Sequence, residues 1–179
     1  MSKNVVLLNF SGRKIGNCGK ICDFVADFYN RTNVCLLSVN LESCGKCNYE
    51  CLNPSTICPN LNEEYLQLMD RIMGADLIYY VIPNFCGYPC ANYFAFNERS
   101  VGYFHMDRAK MGNFMNAAKR FIIVSNTEGF EKALSLQTKD EPIIQYMKSG
   151  KYKKRSTAGD IMDCQEAIDD LTAFLKQHG

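Results

Sequence analysis

Val5-Val6-Leu7-Leu8-Asn9-Phe10 runs directly into Ser11-Gly12-Arg13-Lys14-Ile15-Gly16-Asn17-Cys18. A short apolar run of this kind is the pattern of a strand buried on both faces, and Ser-Gly ends it. The loop that follows is small and polar, and it feeds a segment with helical spacing. Ser11, Arg13 and Asn17 supply side-chain donors, while Gly12 and Gly16 let backbone approach a ligand closely. The free N–H groups that open the helix face the same space. Such a loop suits a phosphate group. It matches neither the dinucleotide fingerprint nor the Walker loop, whose glycine spacings are absent. An ordinary strand-to-helix turn uses the same residue types.

The alternation continues down the chain. Residues 17–29 predict a helix with Ile21, Phe24, Val25 and Phe28 on one face. Residues 34–39 predict a second strand. An irregular, cysteine-rich stretch at 43–58 follows, then a helix at 62–73 with Asn62 as N-cap, Leu66, Met69 and Ile72 or Met73 on its inner face, and Gly74 as its stop. Residues 77–82 form a third buried strand closed by Pro83, and 91–103 an aromatic-rich helix. Residues 121–125 form a fourth strand, 131–136 a short helix and 152–161 a fifth, polar edge strand. A closing helix at 163–177 has Asp163 as N-cap and Ala167, Leu171, Phe174 and Leu175 facing inward. Apolar strands alternating with helices imply a parallel sheet covered on both faces. The expected fold is therefore α/β, a doubly wound five-stranded parallel sheet of flavodoxin-like type, in one domain spanning 1–179. Its cysteine-rich loop follows the second strand.

In such a sheet, ligands bind outside the carboxyl ends of the strands. Three loops should meet there. The first is 11–18. The second holds Pro83, Asn84, Phe85, Cys86 and Gly87, and the third Asn126, Thr127, Glu128 and Gly129. A phosphate cradle beside two amide-rich loops with aromatics suits a flat heteroaromatic ring carrying a phosphate tail.

Ser11-x-Arg13 followed by Asn17-Cys18 resembles the flavin phosphate loop of the NADPH-dependent FMN reductase-like flavoproteins, and most of all their iron–sulfur flavoprotein branch. Ala75-Asp76-Leu77-Ile78 through Pro83-Asn84-Phe85-Cys86-Gly87 resembles the second flavin loop, and 91–100, with Glu98-Arg99, the helix behind it. Gly12 stands where the family often has proline, and Asn84-Phe85 replaces an aliphatic-tyrosine pair. The resemblance implies FMN, with Ser11, Arg13, Asn17 and Cys18 on its phosphate. It places Asn84 to Gly87 on the isoalloxazine and ribityl chain, and Asn126 to Gly129 closing the other side. It also implies electrons entering from NAD(P)H or a ferredoxin-like carrier and leaving to a small molecule or protein acceptor. No catalytic acid, base or nucleophile is demanded, because the flavin does the redox chemistry.

Cys44, Cys47, Cys51 and Cys58 place four thiols within fifteen residues. Clustered loop thiols favour a soft ion, either an iron–sulfur cluster or zinc, and an empty or oxidised loop is the remaining option. The resemblance implies a [4Fe-4S] cluster here, although three residues separate Cys47 from Cys51 where the family usually has two. A non-enzymatic reading runs alongside: a flavodoxin-like electron carrier, or a thiol or metal redox sensor. A phosphate-binding hydrolase fits less well, because no acidic cluster stands near the strand ends.

Composition sets the frame. The chain has 179 residues, 47% hydrophobic and 22% charged, with a formal net charge of +1. That balance favours neither nucleic acid nor a membrane, and no apolar run reaches the ~18 residues of a membrane span. The first residues lack a signal peptide's apolar region, so the ten cysteines are expected reduced, in the cytoplasm. Cys22 and Cys35 read as core packing, and His105 and His178 as structural or exposed. The basic run at 148–155 reads as a solvated loop or a site that attracts a phosphorylated donor. The aromatics of 93–104 exceed what one small core needs, which suggests a homo-oligomer, a dimer or tetramer.

Overall fold

The computed structural model describes residues 3–13, 15–45, 47–53, 55–56, 58–59, 61–105 and 107–179. Met1 and Ser2, at the head of the expected leaderless N-terminus, and Lys46 within the cysteine loop lie outside the described residues. The elements in order are β1 (Val5–Asn9), α1 (Asn17–Phe28), β2 (Val34–Ser38), α2 (Glu63–Met73), β3 (Leu77–Phe85), β4 (Tyr88–Pro89), α3 (Ala91–His105), α4 (Arg108–Asn116), β5 (Ala118–Val124), α5 (Glu131–Leu134), β6 (Ile144–Met147) and α6 (Gln165–His178).

Five strands pair in parallel in the order β2-β1-β3-β5-β6, and β4 folds back antiparallel on the end of β3. The order reverses between β1 and β3, which sets a topological switch point at their carboxyl ends. Strand pleating divides the side chains between two cores. Val6 and Leu8 of β1, Ile78, Tyr80 and Ile82 of β3, and Phe121 and Ile123 of β5 pack with Tyr65, Met69, Tyr93 and Phe96 from α2 and α3. Val5 and Leu7, Tyr79 and Val81, and Ile122 pack with Ile21 and Val25 of α1 and Leu171 and Leu175 of α6. Burial on both faces is why these strands carry no polar alternation.

Several elements differ from the sequence-based expectation. β3 does not stop at Pro83; it continues to Phe85 and turns back through Cys86 and Gly87, both at positive φ (54° and 85°). Two consecutive left-handed residues make the tight turn whose twist suits a hairpin. Pro83 is tolerated because the last β1 residue pairs with Val81, so β3 has lost its β1 neighbour there. The fifth parallel strand is Ile144–Met147, not 152–161, and the latter is turn and loop. As an edge strand of four mostly half-buried residues, it lacks the apolar run that marks the central strands. The inner face of α2 carries Tyr65, Met69 and Ile72, while Leu66 is exposed. Tyr65 takes the inward place because it packs on the Phe96 ring and under the Arg99 guanidinium. Asp163 does not cap α6; it ends a 3-10 turn, Ile161–Asp163, and pairs with Lys20 at 2.9 Å. The aromatics of α3 are consumed by the chain's own core: Tyr93, Phe96, Tyr103 and Phe104 are buried, while Phe94 is 39% exposed. No helix among the described residues is long and apolar enough to cross a membrane.

Candidate functional site

The loop after β1 folds back on itself through local side-chain bonds. Asn9 Oδ1 accepts the Ser11 N–H at 3.0 Å, and Ser11 Oγ accepts the Arg13 N–H at 3.2 Å. Gly16 precedes α1 in an extended conformation; no side chain caps the helix, and no acidic residue lies in its first turn. Among the described residues, the first turn of α1 therefore brings no carboxylate of its own to the positive end of the helix dipole. The carbonyl of Phe10 is held from the other side by Asn92 Nδ2 at 3.2 Å and the Cys90 thiol at 3.3 Å, which fixes the end of β1 to the start of α3.

A cavity of about 260 Å³ opens at these strand ends. Ser11, Arg13, Gly16, Asn17 and Cys18 line it from the first loop, and Pro83, Asn84, Phe85 and Cys86 from the second. Gly87 stays out of the lining; its N–H donates to Asn84 Oδ1 at 2.8 Å and closes the hairpin turn. Phe85 is 61% exposed and Tyr88, its cross-strand partner, 68%. Two aromatic rings left in solvent beside this cavity form the apolar surface that a planar ring system would cover.

The third loop stands at the edge of this cavity rather than in its lining. Thr127 Oγ1 accepts from Asn84 Nδ2 at 3.5 Å, which joins the second and third loops. Asn126 is committed to the segment after β6: it donates to Ser149 Oγ at 3.0 Å and accepts the Gly150 N–H at 2.9 Å. Glu128 pairs with Lys148, and Gly129 adopts a φ of 101°. Three lining residues were not anticipated from sequence: Val124 at the end of β5, and Ser156 and Thr157. The last two bind the first loop. Their carbonyls accept from Asn17 Nδ2 at 3.1 Å and Arg13 Nη2 at 2.9 Å. Asn17 Oδ1 also accepts the Ile161 N–H at 3.0 Å, so both ends of this buried side chain brace the segment before α6.

Three buried thiols of this region are held protonated by burial. Burial, reinforced by the neighbouring Cys90, pushes Cys18 up to about 12, and burial pushes Cys22 well above the usual thiol range. Cys90 is raised by burial as well. None of these three has the lowered pKa of a thiolate nucleophile.

The cysteine-rich loop packs on α3. Cys44, Cys47 and Cys51 line a second cavity of about 380 Å³ together with Tyr49, Leu52, Glu98 and Val101. Glu98 Oε2 accepts the Cys44 N–H at 3.1 Å. Cys58 is buried against Gly102, where a Cβ would stand 2.9 Å from its Sγ. Burial raises the Cys51 thiol, and the nearby Cys58, Cys47 and Cys44 raise it further, so the four thiols are electrostatic neighbours. Among the described residues, no group of three or more Cys, His, Asp or Glu is arranged to hold a metal ion. All ten cysteines are unbridged. Cys22 is fully buried as expected, whereas Cys35 is half-buried and its sulfur accepts from Arg71 Nη1 at 3.4 Å.

No family model matches the sequence, and no curated protein matches it. Solved structures do match in fold. One is the Trp repressor binding protein from Bacillus subtilis, at 11% identity and a TM-score of 0.66, covering 98% of this chain and 99% of that one. The strand order and this likeness decide the architecture. The chain has a flavodoxin-like fold. A flavone reductase aligns at 13% identity and a TM-score of 0.59 over 95% of this chain, which spans only 60% of that protein. RosB, with bound 8-demethyl-8-formylriboflavin-5'-phosphate, aligns at 12% identity and a TM-score of 0.55, covering 97% and 79% of the two chains. In this flavodoxin-like chain the 260 Å³ cavity occupies the switch-point crevice, where a flavodoxin-like sheet binds its ligand.

Proposed function

We propose that this protein is an FMN-dependent oxidoreductase that takes electrons from NAD(P)H and passes them to a small oxidised molecule such as a quinone. The observation that carries the reading is the switch-point cavity, which joins the phosphate-type loop to a solvent-exposed aromatic hairpin. The donor set fits the tail of FMN: the Ser11 hydroxyl, the Arg13 guanidinium and an uncapped α1 N-terminus. Phe85 fits its ring, and Asn84 and the backbone of the hairpin supply edge hydrogen bonds. A riboflavin phosphate bound by RosB and a reductase activity in another neighbour's name support the same reading. When bound, FMN would accept a hydride and release electrons singly or in pairs. The protein's part is to bind, orient and shield. Burial holds the Cys18 and Cys90 thiols protonated beside that site. A reducing compartment such as the cytoplasm is proposed for it, one in which unbridged cysteines persist as thiols.

The test is anaerobic: NADPH or NADH added to FMN-loaded protein should bleach the flavin's visible bands, and a quinone should restore them. Bands that stay unchanged with both nucleotides would remove the NAD(P)H part of the reading and leave the electron-carrier alternative.

A second centre is proposed at the cysteine loop, a [4Fe-4S] cluster on Cys44, Cys47, Cys51 and Cys58. Its support is the cavity that three of these thiols line and the burial of the fourth beside them. Iron and sulfide analysis of anaerobically purified protein tests it, with about four of each expected per chain; zinc without sulfide would replace it with a structural site.

A further inference from the structure

The segment between β6 and α6 reaches across the molecule to the phosphate-type loop. Its contacts with that loop are specific and continuous. Thr157 O accepts from Arg13 Nη2 at 2.9 Å, and Ser156 O accepts from Asn17 Nδ2 at 3.1 Å. Gly159 then packs directly on the backbone of Gly16. A Cβ at residue 159 would stand 3.3 Å from Gly16 Cα and 3.8 Å from the Asn17 nitrogen, and its φ of 74° is one that side chains resist. The N–H of Ile161 closes the set on Asn17 Oδ1 at 3.0 Å. The segment is therefore held on both sides of the α1 N-terminus, and Ser156 and Thr157 line the cavity beside Ser11 and Arg13.

From this arrangement we infer that residues 156–159 form the far wall of the phosphate site. This rests on the FMN reading above and deepens it, because it assigns the selection of a phosphorylated flavin to residues far from the β1–α1 loop. The wall acts in two ways. Its Thr157 carbonyl orients the Arg13 guanidinium at the cavity, which limits the entropy lost when that long side chain meets an anion. Ser156 and Thr157, exposed residues that line the cavity, add hydroxyl donors to those of the first loop. Hydrogen bonds to an ionised acceptor are the strong ones, so a phosphate gains from this wall and a neutral hydroxyl gains little. Gly159 is the residue that lets the wall close, because any side chain there separates it from Gly16.

The experiment compares two probes, FMN and riboflavin, by quenching of flavin fluorescence on titration with protein. In the double variant Ser156→Ala/Thr157→Ala, FMN should bind about tenfold more weakly, the worth of one charge-assisted bond. Riboflavin should bind as it does to the unaltered protein. Gly159→Ala should show the same selective loss. Should that variant fail to fold, the double variant, altered at two exposed side chains, decides alone. Equal FMN affinity in the double variant and the unaltered protein overturns the wall and leaves the FMN site standing. An equal loss for FMN and riboflavin also overturns the wall, since it marks a general distortion. An unaltered protein that binds neither flavin overturns the FMN reading and the wall together.

Discussion

Lys119, the second residue of β5, is buried at 4% exposure under the C-terminus of α4. Its ammonium donates to the carbonyl of Phe114 and, at 3.4 Å, to that of Ala117, and lies 4.1 Å from the centre of the Phe114 ring. The Phe114 carbonyl also accepts the Ala117 N–H at 3.2 Å, so the lysine reinforces the C-terminal cap of α4. Burial lowers its pKa from 10.5 to about 8. Between those values the unfolded chain binds more protons than the folded one, so this group adds stability as pH rises from about 8 to 10.5. Cys18 and Cys22, whose thiols are raised, act in the opposite direction over alkaline pH and mask the effect in the protein taken alone. Comparison with Lys119→Met cancels them. The stability of the unaltered protein relative to this variant should climb by about 3 kcal/mol across that window, measured by urea unfolding at several pH values. A difference that stays flat would mean the ammonium is not desolvated. Asn17 teaches a second lesson at this scale. Its type and place mark it as a phosphate donor in the sequence, yet both ends of its amide brace residues 156–161. The long-range partner that decides its role leaves no local trace.

The elements were legible in proportion to how far burial controls their sequence. β1, β3 and β5 are covered on both faces, and their apolar runs announce them. The inward residues of α6, Ala167, Leu171, Phe174 and Leu175, are those its periodicity names. α4 carries a single buried residue, Phe114, so it has almost no apolar stripe to read. Only its cap is readable, Asp107, whose carboxylate accepts the N–H groups of Ala109 and Lys110. β6 is short and half-buried, and Tyr152, buried from a turn, and Ile161, buried from the 3-10 turn before α6, imitate the strand that lies earlier. The β3–β4 hairpin was hidden by Pro83, normally a stop signal. Its turn also shows a local conflict, because Cys86 holds a φ of 54° without being glycine or asparagine. Asn-Gly is the favoured pair for such a turn. Cys86→Asn should therefore stabilise the protein by about 0.5–1 kcal/mol, read as a rise in the thermal midpoint. A fall would show that the Cys86 side chain has packing partners the turn geometry does not reveal.

For the molecule as a whole, the sheet does two jobs with one alternation of side chains. Odd and even residues of the central strands hold separate cores against α1 and α6 on one face and α2 and α3 on the other. The carboxyl ends of β1 and β3 are thereby fixed while their loops stay free to bind. Two of the three loops expected at those ends do line one cavity; the third borders it through Thr127 and Asn84. The rest of the lining comes from Val124 at the end of β5 and from residues 156–157, the latter reached only by a long return of the chain, which no local spacing could announce. The role proposed for the molecule requires this cavity to be a flavin mononucleotide site. The most direct measurement is an equilibrium titration of FMN with the purified protein, following flavin fluorescence, with Arg13→Glu beside it. The account predicts saturable quenching with one FMN per chain, and an affinity at least about tenfold weaker once the guanidinium is replaced by a carboxylate. FMN fluorescence unchanged by a large excess of the unaltered protein, or binding indifferent to the charge at residue 13, would contradict it.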